Sequence, residues 1–241
     1  MEELGPLRLF VSEGVPWPYY ARPSGGEVTE ADVRAVRARQ WELGAPEALE
    51  WIADLAPSVT AAARAAGLVV REAPLLALGE LHEPTPLVDA RVRKLQPDDP
   101  ELAASRAVTD LAFNGSAGGP AERDAALRGW PERRLGAVRD RIAGGLLVTV
   151  VAEARGGGVI ATGSHLPLGD ATEIVGVATL PALQRRGLGS AITWALAADA
   201  RRRGAALVFL SAGSDAVARL YGRLGFGRVG TAGLAAPAVS S

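Results

Sequence analysis

Apolar residues recur along this chain in two rhythms. Short aliphatic and β-branched runs suit strands, and three-to-four-residue spacings suit amphipathic helices. In the first part, residues 7–11 and 19–22 read as strands on either side of the turn Pro16-Trp17-Pro18. Thr29 followed three residues later by Asp32 marks a helix start, with the helix running to Leu43. A strand over 48–52, a helix over 58–66 stopped by Gly67, and two closing strands over 68–71 and 74–78 complete this part. Residues 81–90 carry Pro84 and Pro86 and no periodicity, so they read as a linker in which His82 is a surface residue. The expected organisation is therefore a first domain over 1–80, the linker, and a second domain over 91–241.

The second domain opens with a strand over 91–95 and a helix from Pro100 toward Phe113. A glycine-rich stretch, Asn114 to Pro120, and further helices to Arg141 follow. Strands over 146–154 and 159–165 pair across the turn at 155–158. The run Ile174-Val175-Gly176-Val177-Ala178-Thr179 is a buried strand, and Pro181 prevents its continuation. From Leu188 the apolar positions Ile192, Ala195 and Leu196 keep helical spacing. A strand over 206–210, a small polar turn with Ser214, and a helix over 215–224 carrying Tyr221 come next, before Gly225 stops the helix and Phe226 follows.

Composition narrows the chemistry. Hydrophobic residues make up 48% of the 241 positions, ample for a core, and the net charge of −1 argues against general nucleic-acid affinity. There is no cysteine, which excludes disulfides, thiolate metal sites and a cysteine acyl-enzyme. No apolar run approaches the ~20 residues that cross a bilayer, and the first residues lack the basic and apolar regions of a secretory leader. The expectation is a cytoplasmic protein with no metal and no membrane partner.

The segment Gln184-Arg185-Arg186-Gly187-Leu188-Gly189-Ser190 lies between a strand and a helix. The first N–H groups of a helix lack internal acceptors and carry the positive end of its dipole. Glycines let an anion approach that backbone, and two arginines add charge, so a pyrophosphate fits. A P-loop would need Gly-Lys-Ser/Thr, which is absent. A dinucleotide fingerprint would need a third glycine where Ile192 stands. Isolated, the glycine pair can also be a plain turn from strand to helix.

Gln-x-x-Gly-x-Gly after a strand, followed some thirty residues on by Leu220-Tyr221-x-x-x-Gly225-Phe226, resembles the GNAT superfamily of acyl-CoA-dependent N-acetyltransferases. The resemblance covers roughly residues 90 to 235. It implies an α/β (α+β) acyltransferase fold, a mixed central sheet flanked by helices. It also implies acetyl-CoA as co-substrate and transfer to an amine acceptor by direct attack in a ternary complex. Gln184, Arg185, Arg186, Gly187, Leu188, Gly189 and Ser190 would then hold the pyrophosphate. Backbone groups of Val177, Ala178 and Thr179 would bond the pantetheine arm and the thioester carbonyl.

By the same resemblance Tyr221 protonates the leaving thiolate, although an aromatic at this place also packs a helix on a sheet. Glu173, fourteen residues before Gly187, is either the base that deprotonates the amine or a glutamate opening a strand at the surface. His165 is a polar cap on its strand or a reserve base. Ser214 stands where many family members have asparagine and can still cap the helix or bond the cofactor arm. The first domain has the strand and helix order of the C-terminal half of a GNAT fold. It lacks the phosphate loop, having Arg22-Pro23-Ser24-Gly25-Gly26-Glu27 instead, and reads as a smaller, degenerate GNAT-like αβ domain. Its Trp41, Trp51 and Ile52 are expected to serve its core and its contact with the second domain. A non-catalytic acyl-CoA-binding regulator or scaffold is the competing function, and a homodimer is compatible with the sequence.

Overall fold

The computed structural model describes residues 1–11, 20–115 and 117–238. The turn at 16–18, the residue Tyr19 and Ser116 of the glycine-rich stretch lie outside them. In chain order the elements begin with β1 (Glu2–Leu4), β2 (Leu7–Leu9), β3 (Arg22–Pro23), α1 (Glu30–Glu42), β4 (Leu49–Ile52), α2 (Ser58–Ala65) and β5 (Val69–Leu78). Next come β6 (Ala90–Lys94), α3 (Leu102–Phe113), α4 (Pro120–Ala126), α5 (Glu132–Ala143), β7 (Val148–Ala154) and β8 (Val159–Leu168). The chain closes with β9 (Ala171–Thr179), α6 (Leu188–Arg202), β10 (Leu207–Ser211), α7 (Asp215–Gly222) and β11 (Phe226–Ala236).

These elements form two compact units. One is Met1–Leu75 with Ala212–Asp215 and the chain from Val229 onward; the other is Leu76–Ser211 with Ala216–Arg228. The division falls inside β5 and β11. In the first unit β1, β2 and β3 form a small antiparallel sheet. There β4 pairs antiparallel with β11, Leu49 opposite Ala235 and Ile52 opposite Ala232. Leu7, Leu9, Val33, Val36, Leu49, Trp51 and Val59 are buried together as its core. A Cβ on Gly233 would overlap the Trp51 ring, so only glycine lets that indole lie flat on β11.

Three of the expectations for this part need correction. A single strand, β5, replaces the two expected over 68–71 and 74–78. Pro74 removes one donor without ending the strand, and its carbonyl still accepts from the Ala212 N–H at 2.9 Å. Trp51 is buried at 4% exposure, whereas Trp41 is 76% and Ile52 40% exposed, so the latter two are not core residues. Trp41 projects from α1 away from the buried Val33, Val36 and Gln40.

The second unit holds a mixed sheet in the order β10-β9-β8-β7-β6. Pairing is antiparallel from β6 through β9 and parallel between β9 and β10. Helix α6 packs on β7, β8 and β9, and α3 packs on β8 and β9 with no extensive packing on α6 among the described residues, as expected for helices on opposite faces. The approach of α6 is close. A Cβ on Gly163 would come within 2.7 Å of Ile192 Cγ2 and 3.0 Å of Leu196 Cδ1.

The register of β8 on β9 contains one bulge. Thr162 opposes Ala178 and Ser164 opposes Val175, so Gly176 and Val177 share the place opposite Gly163. Gly176 sits at φ 61°, the left-handed region where glycine is favoured. The extra residue exchanges faces. Before it Thr172 and Ile174 face α6; after it Val177 and Thr179 do, by pairing with Gly163 and Ala161. The β8 strand continues past His165 to Leu168, and α7 ends at Gly222, two residues before the expected stop.

Candidate functional site

The site begins where two parallel strands part. The registered pairs of β9 with β10 are Ala171–Leu207, Thr172–Val208 and Glu173–Phe209. Both strands continue, to Thr179 and to Ser211, without further registered pairs. Along its other edge β9 stays bonded to β8 as far as Thr179. Beyond Glu173 the β10-side edge of β9, including the backbone of Val177, Ala178 and Thr179, has no registered partner among the described residues, and this open edge is the wedge.

At the end of that wedge the chain turns through a short 3₁₀ segment, Pro181–Leu183, into the glycine loop. Arg185 takes a left-handed φ of 64° and Gly187 one of 80°. Gly187 is the N-cap of α6 and no side chain caps the helix. The first intrahelical bond runs from the Ala191 N–H to the Gly187 carbonyl at 3.0 Å. The N–H groups of Leu188, Gly189 and Ser190 thus have no acceptor within the helix. Gln184, Arg185, Arg186 and Gly187 are exposed, whereas Leu188 is buried and anchors the turn. A Cβ on Gly189 would meet nothing within 4 Å, and the first turn carries no acid. Unoccupied donors, a dipole end and two exposed guanidiniums make this an anion-receiving surface, and it fits a pyrophosphate.

Tyr221 in α7 is buried, and its ring lies 6.1 Å from that of Phe226, centroid to centroid. Burial pushes the phenol above its usual pKa, and an interaction of its hydroxyl with the side chain of Thr193 opposes that rise. Thr193 itself donates to the Gly189 carbonyl at 2.8 Å. The tyrosine is thereby connected through one hydroxyl to the first turn of α6. After α7 the chain reverses at Gly225, φ 98°, where a Cβ would overlap the carbonyl oxygen of Glu80. The Gly79 N–H donates to the Gly225 carbonyl and the His82 N–H to that of Leu224, both at 3.0 Å. Gly225 is thus required by a strap, and not only by the helix end.

Glu173 is half-buried at the last registered pair of β9 with β10, on the sheet face opposite α6. Ser214 is exposed immediately before α7 and belongs to the first unit. His165 proves to be neither a strand cap nor a residue at the wedge. It is fully buried, with Nδ1 2.9 Å from Thr172 Oγ1 and Nε2 3.2 Å from Asp199 Oδ2. Burial lowers its pKa against the pull of Asp199, so the neutral ring is favoured. Asp199 is desolvated, yet Arg203 at 2.6 Å, His165 and Lys94 hold its carboxyl below the usual range. This cluster ties the C-terminal end of α6 to the sheet. Sequence reasoning missed Asp199 and Thr193, whose helical spacing marks them only as two polar positions on a largely apolar helix.

A mixed sheet with one open parallel edge, and a glycine-led helix that begins at the end of that edge, is an architecture shared with acetyltransferase structures. Residues 118–226 match the acetyltransferase (GNAT) family, and the chain carries a GNAT acetyltransferase domain. Such a domain implies acetyl-CoA as co-substrate. A GCN5-related N-acetyltransferase from Kribbella flavida superposes with a TM-score of 0.69 at 23% identity, covering 98% of this chain and 89% of that one. A GCN5-related N-acetyltransferase from Sphaerobacter thermophilus gives 0.57 at 19% identity over 88% and 68% of the two chains. A GCN5-related N-acetyltransferase-like protein from Streptococcus suis gives 0.58 at 11% identity over 92% and 81%. At these identities the likeness is one of fold. No curated protein matches the chain.

Proposed function

We propose that the second unit transfers an acetyl group from acetyl-CoA to a primary amine by direct attack in a ternary complex. The observation that carries this reading is the parting of β9 from β10 after Glu173 and Phe209, directly ahead of the uncapped start of α6. Backbone N–H groups from Gly187 to Ser190, with Arg185 and Arg186, receive the pyrophosphate, and Gln184 flanks it. Unpaired backbone of Val177 to Thr179 bonds the pantetheine amides and stabilises the oxyanion that develops at the carbonyl. When bound, acetyl-CoA supplies an acyl group activated as a thioester.

The residues of the chain manage two protons. A lysine-like amine has a pKa near ~10.4 and arrives protonated. Glu173 accepts that proton, directly or through water, so that the nitrogen lone pair can form the new N–C bond. Tyr221 keeps its own proton because burial raises its pKa; it gives that proton to the sulfur as the C–S bond breaks, and the second proton lost by the new amide nitrogen restores the phenol, directly or through water. The chain has no cysteine to carry the acetyl group. The first unit is read as a degenerate GNAT-like copy without a coenzyme A site.

Thiol release from acetyl-CoA over a panel of amines, with calorimetric titration of coenzyme A, tests the reading. Release with at least one amine is the expected result. Binding without release for every amine would leave a non-catalytic acyl-CoA module, and absence of binding would overturn the site itself.

A further inference from the structure

Buried charges in folded proteins have partners, because an isolated ion outside water costs several kcal/mol. Arg106 in α3 departs from this. Its Nε is out of solvent and has no hydrogen-bond acceptor, and among the described residues its guanidinium makes no ion pair. The side chain as a whole keeps partial access to solvent. Burial depresses its pKa, and the one acid that acts against this is Asp110.

Asp110, one turn further along α3, does not close on Arg106. It is exposed and accepts the Trp130 indole N–H at 2.7 Å. That bond joins α3 to the segment Leu127–Gly129, which packs on the helix. The arginine is therefore under-compensated, with a buried Nε that one anion could satisfy. A guanidinium matches a single carboxylate in charge and in its two-pronged geometry. The phosphates of a coenzyme have their own cations, Arg185 and Arg186, ahead of α6, a helix on which α3 has no extensive packing among the described residues. By contrast α3 packs directly on β9, the strand whose free edge is read as the seat of the acyl donor.

We propose that Arg106 receives a carboxylate borne by the amine acceptor, so that the acceptors are amino acids or related amines with a free carboxylate. This rests on the acetyl-transfer reading above. The test compares L-amino acids with their carboxamides as acceptors, in the wild-type chain, in Arg106→Gln and in Arg106→Lys. We expect wild type to favour at least one free acid over its amide by ~10-fold or more in kcat/KM. Arg106→Gln should lose the preference, with KM for the acid rising ~10-fold or more and KM for the amide moving much less. Arg106→Lys should restore part of it. Equal use of acids and amides by wild type, or a preference that survives Arg106→Gln, overturns the proposal.

If no amine releases thiol, the acetyl-transfer reading fails and calorimetric titration with the same amino acids decides Arg106 separately. Acids that bind wild type, with amides and Arg106→Gln silent, uphold the site; binding that ignores the carboxylate or the substitution removes it. A thermal melt of Arg106→Gln is expected to match or exceed wild type, since the change removes a desolvated charge.

Discussion

Two helices in this chain start in opposite ways. Helix α1 is closed by its own residues. Thr29 accepts from the Asp32 N–H, Asp32 accepts from the Thr29 N–H at 2.9 Å, and Glu30 and Asp32 place negative charge on the first turn. Helix α6 is left open, with a left-handed glycine as its cap, no capping side chain, no acid in its first turn and two arginines before it. Both starts satisfy the same physics, since orphan N–H groups and a positive dipole end must meet an acceptor. The first uses a side chain of the chain itself and gains about 1 kcal/mol of stability. The second leaves its donors without a capping side chain, and the proposed reading gives them to the coenzyme pyrophosphate. A glycine pair precedes α1 too, Gly25 and Gly26, so glycine content does not separate the two. What separates them is whether the backbone donors are already taken.

Making α6 resemble α1 should have the largest effect. Gly189→Asp places a carboxylate in the first turn, where a Cβ meets no neighbour. Coenzyme A affinity should fall by ~100-fold or more with the melting temperature nearly unchanged. Gly187→Asp should do the same at some cost in stability, because φ there is 80°. Calorimetry that returns wild-type affinity for both variants would break the comparison.

Tyr221→Phe separates holding the coenzyme from using it. It should lower kcat by ~100-fold and leave coenzyme A affinity in place. An unchanged kcat would make the buried ring a packing residue only.

The far end of α6 should respond to pH. His165 has a lowered pKa in the fold, so the unfolded chain binds a proton there first. Stability is therefore complete above the ordinary value of 6.5 and declines as pH falls through it. Melting temperatures measured from pH 8 to pH 5 should show this decline, and His165→Gln should flatten it. The carboxyl of Asp199, held low by Arg203, His165 and Lys94, adds a second loss only at more acidic pH.

The smallest effect should come from opening α1. Thr29→Ala is expected to cost ~1 kcal/mol in denaturant unfolding. Titration should still count one coenzyme A per chain, because Asp32 and Glu30 keep the dipole end negative. Two equivalent sites, in wild type or in this variant, would show that the first unit is no degenerate copy.

The residues of the glycine loop, the helix it opens, the Thr29 cap and the strand order of the second unit were legible in the sequence. Each depends on neighbours within a few positions: a proline that stops a strand, a glycine that permits φ > 0, a repeat of apolar residues every three or four. Tyr221 stands in a motif visible in the sequence, whereas its hydroxyl's interaction with Thr193 is not visible there. The polar cluster was misjudged for a related reason. His165 and Asp199 lie 34 positions apart, and nothing in either neighbourhood announces that a strand and a helix will bring them together. Trp41 was misassigned because hydrophobicity alone does not say which side of a helix meets the core.

Local chemistry thus determined most of the strands and helices and which helix start is left without a capping side chain. Only the tertiary structure decided that β9 parts from β10 after Glu173, that the Gly176 bulge exchanges the faces of β9, and that Arg106 is enclosed without a counter-ion. Those three outcomes are set by packing between segments distant in the chain, where burial and pairing depend on what arrives from elsewhere and not on the residues alongside.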